Sequence, residues 1–411
     1  MRVLFVTRWR PHRPDGGAAL RNAQNIAALQ ELAEVDVFSI GRDEEVQPLP
    51  DIRHWQHHPR RAYRRQSLAS LALNRSQHPL SSPYETPAAH QHFQRLLAEN
   101  RYDLAVVEEL ALMAWAKPIR AAGIPLVFDA HNVESLLFED IAPQRHGLPG
   151  RLERALLVRR LRRIERQAVH SADLIWACSP LDVQALQRLY APTCPLVPIA
   201  NTIDLVPWAA ARRAQARPVV AGSPIRLVFC GTFIYPPNEA AALELIQQIL
   251  PRLRAMGAGV SLALVGRDPR PALVAAAKAD ADVTLTGAVD SVLPWFSQPC
   301  LVPVPLRQGS GTRLKILEAF AAGAAVVSTA KGAEGIGISD GQDIRLADTP
   351  QEFALALHAL WSDPAARTAQ CARAFSLVAT AYSSAVASKA VHASLEFAGF
   401  IGQEASVPSE G

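Results

Sequence analysis

Short apolar runs alternate along the chain with longer stretches in which apolar residues recur every three or four positions. The runs in the first half are VLFVT (3–7), VDVFSI (35–40), LAVVEE (104–109), LVFDA (126–130), LIWACS (174–179) and LVPIAN (196–201). The second half continues with IRLVFCG (225–231), SLALVG (261–266), VTLTG (283–287), LVPVPL (301–306) and AAVVST (324–329). Unbroken apolar strands spaced by helices are typical of parallel sheets covered on both faces. The pattern predicts an α/β protein with two doubly wound domains.

The segments between these runs predict how the chain is divided. The stretch 206–224 is rich in Ala, Pro and Arg and has neither strand nor helix periodicity, which favours a linker. Helical patterns fill 351–361 and about 365–400. The predicted parts are an N-terminal domain over 1–205, the linker over 206–224, a C-terminal domain over 225–385, a helix over 386–403 that packs back on the N-terminal domain, and a disordered tail over 404–411.

Length and composition agree with a folded protein of two domains. The chain has 411 residues, of which 49% are hydrophobic and 19% charged, and one domain usually takes about 100–200 residues. The start MRVLFVTRW does not fit a signal peptide, and no apolar run is long enough for a transmembrane helix. The five cysteines are far apart and form no CxxC pair, so we expect neither a zinc site nor disulfides, and a cytoplasmic location.

Positive charge is concentrated in the first half of the chain. Residues 1–200 hold 25 Lys and Arg against 21 Asp and Glu, whereas residues 201–411 hold 17 of each. The segment 151–169 contains seven Arg and two Glu, and six Arg without an acid lie between Arg53 and Arg75. These segments are either solvated helix faces or a surface for anionic lipid headgroups or a lipid-linked diphosphate acceptor. No nucleic-acid recognition motif accompanies them, so we expect no nucleic-acid partner.

The stretch GSGTRLKILEAFAAGAAVVST (309–329) has the pattern of a glycine loop, a helix and a strand. Apolar residues cover most of the helix. The polar or small remainder forms one narrow stripe, at positions 311, 315, 318 and 322. A narrow polar stripe on a covered helix is expected to face a cleft.

The residues of this stripe suit a nucleotide. We predict Thr312 as the N-cap residue, and a helix N-terminus together with Arg313 and Lys315 favours phosphate. Glu318, one turn further on, can accept hydrogen bonds from a ribose diol. The alternative is a surface ion pair between Lys315 and Glu318, which would stabilise the helix by only a few tenths of a kcal/mol.

The stretch resembles the donor-binding signature of the retaining glycosyltransferases of family four. Other motifs stand in the same order as in that family: GG (16–17), DAHNVES (129–135), ANTID (200–204), FCGTFIYPPNEAA (229–241), LVGRDP (264–269), VTLTGAVD (283–290), GAEGI (332–336) and DTPQEFA (348–354). The resemblance covers most of the chain and is greatest to bacterial sugar transferases of exopolysaccharide assembly. It implies the GT-B architecture, in which two Rossmann-like doubly wound domains face each other across a cleft. The N-terminal domain is then expected to bind the acceptor and the C-terminal domain the nucleotide sugar.

The resemblance also assigns donor-binding residues. Glu318 matches the second glutamate of the family's E-x7-E motif, which holds the ribose, whereas Ser310 stands where the family often has the first glutamate. Gly311 and Thr312 fall where backbone amides meet the diphosphate. Further donor-binding positions implied by the motifs are Gly231, Thr232 and Arg267. Many relatives have an Arg and a Lys in the segment matching 232–251, which has neither here, so Arg313 and Lys315 are the expected catalytic cations.

In the N-terminal half, His131 resembles a family histidine near the donor's sugar ring, where it would bond a hydroxyl or stabilise charge. We therefore include His131 among the catalytic candidates, oriented by Asp129 and Glu134. Gly16 and Gly17 are expected to let the backbone approach a phosphate or an acceptor. Asn238 is predicted as the N-cap of a helix in the C-terminal domain.

The sequence and the resemblance together predict a retaining hexosyltransferase that needs neither metal nor cofactor. Asp280 and Asp282 form a DxD motif, but in this fold order it predicts a solvated turn rather than a metal site. The expected donor is a UDP-, GDP- or ADP-linked sugar. The expected acceptor is a glycan or a lipid-linked molecule in cell-surface or exopolysaccharide synthesis, reached at the inner face of the membrane. The alternatives are a sugar-nucleotide epimerase or hydrolase, or an inactive nucleotide-binding scaffold.

Overall fold

The computed structural model describes residues 1–8, 16–41, 52, 54–61, 82–141, 148–220, 222–309 and 311–402. Two compact units make up the chain. The first unit is Met1–Asn201 with Ala387–Gly411, and the second is Thr202–Val386. The predicted tail over 404–411, most of the basic stretch Arg53–Arg75, and Ser310 lie outside the described residues.

The first unit is built on a seven-stranded sheet in which every neighbouring pair is parallel. The strands are β1 (Arg2–Thr7), β2 (Glu34–Gly41), β3 (His54–Pro59), β4 (Leu104–Glu108), β5 (Leu126–Ala130), β6 (Leu174–Ala177) and β7 (Leu196–Pro198). Their order is β3-β2-β1-β4-β5-β6-β7. The helices are α1 (Gly17–Gln30), α2 (Pro87–Glu99), α3 (Ala116–Ala121), α4 (Glu134–Ile141), α5 (Leu148–Ser171) and α6 (Pro180–Tyr190).

Both faces of this sheet are covered by apolar layers. Along β1, Leu4 and Val6 belong to one buried cluster, and Val3 and Phe5 belong to the other. This alternation follows from the two-residue period of a strand, which sends successive side chains to opposite faces. Because both faces are buried, the strand reads as an unbroken apolar run in the sequence.

The second unit is built on a six-stranded parallel sheet of order β10-β9-β8-β11-β12-β13. Its strands are β8 (Ile225–Cys230), β9 (Val260–Val265), β10 (Val283–Leu285), β11 (Leu301–Val304), β12 (Ala325–Ser328) and β13 (Arg345–Leu346). Its helices are α7 (Ala209–Gln215), α8 (Pro236–Glu244), α9 (Leu250–Ala255), α10 (Pro271–Lys278), α11 (Leu314–Ala322), α12 (Pro350–Ser362) and α13 (Pro364–Ala381). One π-helical turn, Leu245–Ile249, joins α8 to α9.

The last helix, α14 (Ser384–Phe397), packs on the first unit once the chain has passed Ala387. Ser394 accepts a 2.9 Å hydrogen bond from the indole of Trp176 in β6. The His392 ring lies 2.8 Å from the carbonyl oxygen of Ala28 in α1. None of the helices in the described part of the chain has the length and apolar character needed to cross a membrane.

The predicted α/β class with two parallel sheets is confirmed, and all eleven apolar runs contain strands. The pattern missed β3, whose sequence HWQHHP is polar, and the two-residue β13. The predicted helix over 365–400 is two helices, because α13 ends at Ala381 and α14 begins at Ser384. The stretch 206–224 contains α7. The divisions at 205, 224 and 385 stay a prediction.

Two glycines bring the segments after β8 and β9 into contact. A Cβ on Gly266 would lie only 1.8 Å from the carbonyl oxygen of Gly231, and Gly266 has a φ of +152°. Only glycine has no Cβ to collide there. Beyond this contact, the Phe233 N–H donates a 2.9 Å hydrogen bond to the Arg267 carbonyl. The two segments are therefore held together by backbone contacts.

Candidate active site

Most of the predicted donor residues of the second unit lie after β8 or after β11. These two strands are neighbours at the point where the strand order of the sheet reverses. Gly231 and Thr232 follow β8, and Gly311, Thr312 and Arg313 precede α11 after β11. In doubly wound sheets, ligands bind beyond the carboxyl ends of the strands at such a reversal. The topology thus places these predicted residues where a ligand is expected.

Lys315 lies in the first turn of α11 and directs its ammonium group to the end of β8. Its Nζ atom donates a 2.7 Å hydrogen bond to Oδ1 of Asn238. The same atom lies 4.2 Å from the centre of the Phe229 ring. Burial lowers the pKa of Lys315 to about 7, and the charge of Arg313 adds to this effect. The group therefore loses its proton near neutral pH, and a bound anion would restore the charge.

Asn238 does not cap α8, so the predicted N-cap is wrong. The helix begins at Pro236 with Tyr235 as its N-cap residue, which places Asn238 in the first turn. The carboxamide Nδ2 of Asn238 donates a 3.0 Å hydrogen bond to the Thr232 carbonyl, while Oδ1 accepts from Lys315. Asn238 therefore fixes the Lys315 ammonium relative to the backbone after β8.

Gly231 leaves the room that this contact needs. A Cβ at this position would lie 2.9 Å from Nδ2 of Asn238 and 3.2 Å from Nζ of Lys315. Both distances are shorter than normal packing contacts, so any larger residue would displace one of the two side chains. The glycine of the FCGTF motif is thus required by the position of the Lys315 ammonium.

Glu318 lies one turn after Lys315 and is partly exposed. Its carboxylate has no hydrogen bond or ion pair with any residue that the structure describes. Burial raises the pKa of Glu318, and Lys315 opposes that rise. Because Lys315 bonds Asn238 instead, the alternative of a surface ion pair between Lys315 and Glu318 is wrong. Glu318 is left with a carboxylate that can accept hydrogen bonds from a ligand.

The start of α11 differs from the prediction. The helix begins at Leu314, and Arg313 is its N-cap residue without a side-chain cap, so the predicted Thr312 cap is wrong. Instead the Thr312 hydroxyl is buried without a hydrogen-bond partner in the described chain. Buried polar atoms nearly always have a partner, so an orphan beside a helix N-terminus indicates a position where a ligand completes the bonding.

The loop before α11 has the backbone that its glycines predict. Gly309 has a φ of +107° and Gly311 a φ of +77°, both in the left-handed region that favours glycine. The Arg313 side chain is nearly buried and packs against Gly309, where a Cβ would lie 3.3 Å from Nη2. Arg313 is therefore placed at the loop, close to the helix N-terminus.

Arg267 and the DxD motif lie after β9 and before β10. Nε of Arg267 lies 3.8 Å from Oδ2 of Asp268, and 38% of the Arg267 side chain is exposed. The carboxylates of Asp280 and Asp282 both accept hydrogen bonds of 2.7–2.8 Å from Arg254. A guanidinium thus occupies the place where the two carboxylates could share a cation, which agrees with a structural role for this motif.

His131 lies among four carboxylate-bearing residues in the first unit, directly after β5. Its Nδ1 atom is 3.3 Å from Oε1 of Glu109, and Nε2 is 3.4 Å from Oδ2 of Asp129 and 3.6 Å from Oε2 of Glu108. The fourth acid, Glu134, begins α4. Nε2 makes no hydrogen bond in the described chain, although His131 is only 7% exposed. We call these five residues the His131 cluster.

The cluster keeps His131 charged. Burial alone would lower the pKa of His131, but the contacts with Asp129 and Glu109 raise it to about 10. Burial dominates at Glu108, where it raises the pKa of the carboxyl group to about 7. The pKa of Glu109 lies well below its usual range because Arg8 outweighs the effect of burial. At neutral pH, His131 is therefore a buried imidazolium whose charge is balanced by Asp129 and Glu109.

Arg21 in α1 holds one acid of the cluster, Asp129, in place. Its guanidinium donates to Asp129 at 2.6 and 2.9 Å, to the Ile199 carbonyl at 2.5 Å and to Asn201 at 3.0 Å. Both partners of the ion pair are buried, with side chains 1% and 0% exposed. Although burial opposes ionisation, Arg21 lowers the pKa of Asp129 to about 2. Asp129 is therefore a fixed anion that orients His131.

Gly16 and Gly17 begin α1, the helix that carries Arg21. Gly16 is the N-cap residue with a φ of −178°, which is extended backbone that any residue adopts. A Cβ on Gly16 would meet no atom within 4 Å. The local backbone therefore does not explain the glycine at position 16, and the approach of a phosphate or acceptor stays a prediction.

Sequence reasoning did not assign a role to several residues that build these sites. In the second unit this is Phe229, and in the first they are Arg8, Arg21, Glu108 and Glu109. Asn238 was predicted only as a helix N-cap and not as the partner of Lys315. The two glutamates could have been found, because they end an apolar run and the carboxyl ends of central parallel strands line ligand sites. Arg21 gives no such signal, since its partner Asp129 is 108 positions away.

Comparison with protein families agrees with this arrangement. A model described as "Glycosyl transferase 4-like domain" matches residues 16–202, and one described as "Glycosyl transferases group 1" matches residues 224–363. The first match contains the whole His131 cluster, and the second contains Lys315, Asn238 and Glu318. A search of curated proteins finds no match.

Solved structures are similar over nearly the whole chain. The sucrose-phosphate synthase from Thermosynechococcus elongatus is 16% identical with a TM-score of 0.71, and the match covers 96% of this chain and 98% of that one. Anabaena HepE in complex with UDP-glucose is 15% identical with a TM-score of 0.65, covering 97% and 100%. A UDP-forming α,α-trehalose-phosphate synthase from Burkholderia vietnamiensis is also 15% identical, with a TM-score of 0.66 and coverage of 97% and 100%.

At such identities the solved structures support the fold, and the two family matches, which together span most of the chain, support the activity. The chain, with a glycosyl transferase 4-like domain followed by a glycosyl transferases group 1 domain, belongs to the glycosyltransferases of the GT-B fold.

Proposed function

We propose that this glycosyltransferase moves a hexose from a nucleotide-diphosphate sugar to an acceptor hydroxyl, with retention of configuration at the anomeric carbon. The donor binds the second unit. The observation that carries this proposal is the Lys315 ammonium, which Asn238 fixes at the carboxyl end of β8. Burial lowers the pKa of this lysine, and no acidic side chain among the residues that the structure describes forms an ion pair with it. A ligand with negative charge would raise the pKa again and would be bound more tightly by the charged lysine.

The residues around α11 suit the parts of such a donor. The N-terminal amides of the helix, the orphan hydroxyl of Thr312 and the cations Arg313 and Lys315 suit the diphosphate. The unpartnered carboxylate of Glu318 suits the ribose diol. When the sugar–phosphate bond breaks, charge grows on the leaving nucleoside diphosphate, and the two cations stabilise it most at that stage.

In the first unit, we propose that His131 donates a hydrogen bond to a hydroxyl of the donor sugar. Its imidazolium keeps the proton at neutral pH, so it serves as a donor and not as a base. The acceptor oxygen then forms a bond with the anomeric carbon on the face that the leaving diphosphate vacates. The proton of the acceptor hydroxyl passes to the departing phosphate oxygen, so no protein carboxylate forms a covalent intermediate.

The choice of donor and acceptor follows from one solved structure and from the charge of α5. UDP-glucose is the first donor to test, because Anabaena HepE with this fold has been captured with UDP-glucose. An anionic acceptor of cell-surface glycan synthesis, reached at the membrane, is favoured by α5, whose exposed arginines include Arg159, Arg162 and Arg163. GDP- and ADP-linked sugars belong in the same screen.

Replacing Glu318 with glutamine should weaken nucleotide-sugar binding about 10-fold, because a charged acceptor of the ribose hydrogen bonds becomes neutral. Folding stability should not fall, since burial already disfavours the carboxylate. Calorimetric titration with UDP-, GDP- and ADP-glucose measures the affinity. The matched control is Glu334→Gln, which removes an exposed carboxylate paired with Lys331 on the same unit.

Equal affinity of Glu318→Gln and wild type for the donor that binds would contradict the ribose contact. The same titrations, followed by detection of released nucleotide, separate the alternatives. Release without any acceptor indicates a hydrolase, and a changed sugar on intact nucleotide indicates an epimerase. Binding without turnover on any acceptor indicates a scaffold. The anomeric configuration of a transfer product, read by NMR, tests retention.

Nucleotide-sugar binding should weaken as pH rises from 7 to 9. The free protein loses the Lys315 proton around pH 7, whereas the diphosphate diester favours the charged form, so each pH unit above 7 should cost up to about 10-fold in affinity. Calorimetry at pH 8 in buffers of different ionisation enthalpy should detect proton uptake on binding. A pH-independent affinity over this range would show that Lys315 does not contact the diphosphate; Lys315→Met, which cannot titrate, is the control.

A further inference from the structure

Glu134 is the first residue of α4, three positions after His131. Its carboxylate has no hydrogen bond and no ion pair with any residue in the described part of the chain. The side chain is partly exposed, unlike the other acids of the His131 cluster. Both of its oxygens are thus available to a group that arrives from solvent.

The other three acids are bound within the protein. Glu108 accepts hydrogen bonds of 2.6 Å from the Thr7 hydroxyl and 2.7 Å from the Arg8 backbone N–H. Glu109 forms an ion pair with the Arg8 guanidinium. Asp129 is held by Arg21, as described above. These three acids shape and charge the cluster, but Glu134 does not share their contacts.

Glu165 in α5 fixes the position of Glu134. Its buried carboxylate accepts a 2.7 Å hydrogen bond from the Glu134 backbone N–H and a 2.6 Å hydrogen bond from the Ser135 hydroxyl. The Tyr190 hydroxyl donates a third. A buried carboxylate that satisfies the first amides of a helix sets where that helix begins. The Glu134 side chain is therefore presented from a fixed backbone.

An independent observation indicates that the cluster receives an outside group. Nε2 of His131 has no hydrogen bond in the described chain although the residue is only 7% exposed. Because His131 carries a proton on that nitrogen, the cluster contains a buried N–H that forms no hydrogen bond in the described chain, although carboxylate oxygens of Asp129 and Glu108 lie 3.4 and 3.6 Å away. A sugar has several hydroxyls that both donate and accept, so a saccharide can bring an acceptor to such a donor and a donor to an unpartnered carboxylate.

We infer that Glu134 is an acceptor-binding residue that takes a hydrogen bond from a sugar hydroxyl of the acceptor during the transfer proposed above. The inference rests on that proposed function and deepens it, because it gives the first unit a defined acceptor contact. The acceptor is thus a saccharide whose hydroxyl meets a carboxylate beside the His131 imidazolium.

The electrostatic surroundings make this contact depend on pH. The groups that face Glu134 are Arg8 at the end of β1, Glu109 after β4, His131 after β5 and Glu165 in α5. Burial and the two glutamates raise the pKa of Glu134 to about 7, against the opposing charges of Arg8 and His131. The carboxylate form, which accepts the hydrogen bond, therefore gains population as pH rises through 7.

The test uses the full chain with saturating UDP-, GDP- or ADP-glucose and the octyl glycosides of glucose, galactose and mannose as acceptors. In Glu134→Gln we expect the KM for the glycoside to rise about 10-fold or more, because a charged hydrogen bond is lost. Donor affinity by calorimetry should not change. The rise of kcat/KM for the glycoside through pH 7 should disappear in Glu134→Gln and persist in Glu134→Asp.

The matched control is Glu139→Gln, on the same helix, whose carboxylate pairs with Arg162 at the surface. A Glu134→Gln protein with the acceptor KM and pH profile of wild type would overturn the inference while leaving the proposed function intact. If wild type transfers sugar to none of the glycosides but binds a nucleotide sugar, the proposed function fails and the inference fails with it. The two failures are therefore distinguishable.

Discussion

Replacing Lys315 with methionine should lower the rate of sugar transfer about 100-fold or more while leaving the free energy of unfolding unchanged or higher. In the transition state the leaving diphosphate gains charge, and a preorganised cation in a site poor in water stabilises that charge by several kcal/mol. The fold does not need the charge. Burial disfavours the Lys315 ammonium, and a methionine side chain can pack on the Phe229 ring that Lys315 now covers.

The measurement compares kcat and urea unfolding of Lys315→Met with those of Lys331→Met. Lys331 is a partly exposed lysine of the same unit that pairs with Glu334 at 2.5 Å, three positions along the chain. We expect Lys331→Met to behave as wild type in both assays. A Lys315→Met enzyme with wild-type kcat would place the leaving group elsewhere, whereas a large loss of stability would make the lysine a structural residue.

Replacing Arg21 with methionine should lower the free energy of unfolding of the first unit by about 3–5 kcal/mol, the usual loss when one partner of a buried ion pair is removed. Asp129 would remain as a buried charge, and the Ile199 carbonyl and Asn201 would lose their donor. Because the lowered pKa of Asp129 depends on Arg21, its contribution to stability is present above about pH 4 and falls as the pH approaches 2.

Urea unfolding of the first unit gives the free energies. The surface control is Arg162→Met, which removes an exposed arginine paired with the partly exposed Glu139, and it should cost no more than about 1 kcal/mol. The double variant Arg21→Met, Asp129→Asn should regain part of the loss, because the unpaired charge is gone. If Arg21→Met costs no more than Arg162→Met, the buried pair does not stabilise the unit and another group must hold Asp129.

A strand could be predicted from the sequence when both of its faces are buried. β1, β4 and β5 are buried on both faces and therefore appear as unbroken apolar runs. β3 lies at the edge of its sheet, where three histidines are tolerated because burial is only partial. A polar edge strand has the same composition as a loop, so neither periodicity nor hydrophobicity could reveal it.

The candidate site was predictable where its residues share one helix. Lys315 and Glu318 could be read as a stripe because both lie on α11. The bond from Lys315 to Asn238 could not be predicted, because it joins residues 77 positions apart. The N-cap predictions for Thr312 and Asn238 were wrong for a related reason. Each side chain has a local capping alternative, but tertiary packing assigns Asn238 to Lys315 and leaves the Thr312 hydroxyl unsatisfied.

The glycine contact between Gly266 and Gly231 has a consequence for the thermodynamics of substrate capture. Since the turns after two neighbouring strands are locked backbone to backbone, with a hydrogen bond from Phe233 to Arg267 behind the contact, neither turn can reorganise alone. Their ordering entropy is lost when the protein folds and not when substrate arrives. A ligand that binds beside these turns would therefore lose little affinity to the ordering of their backbone.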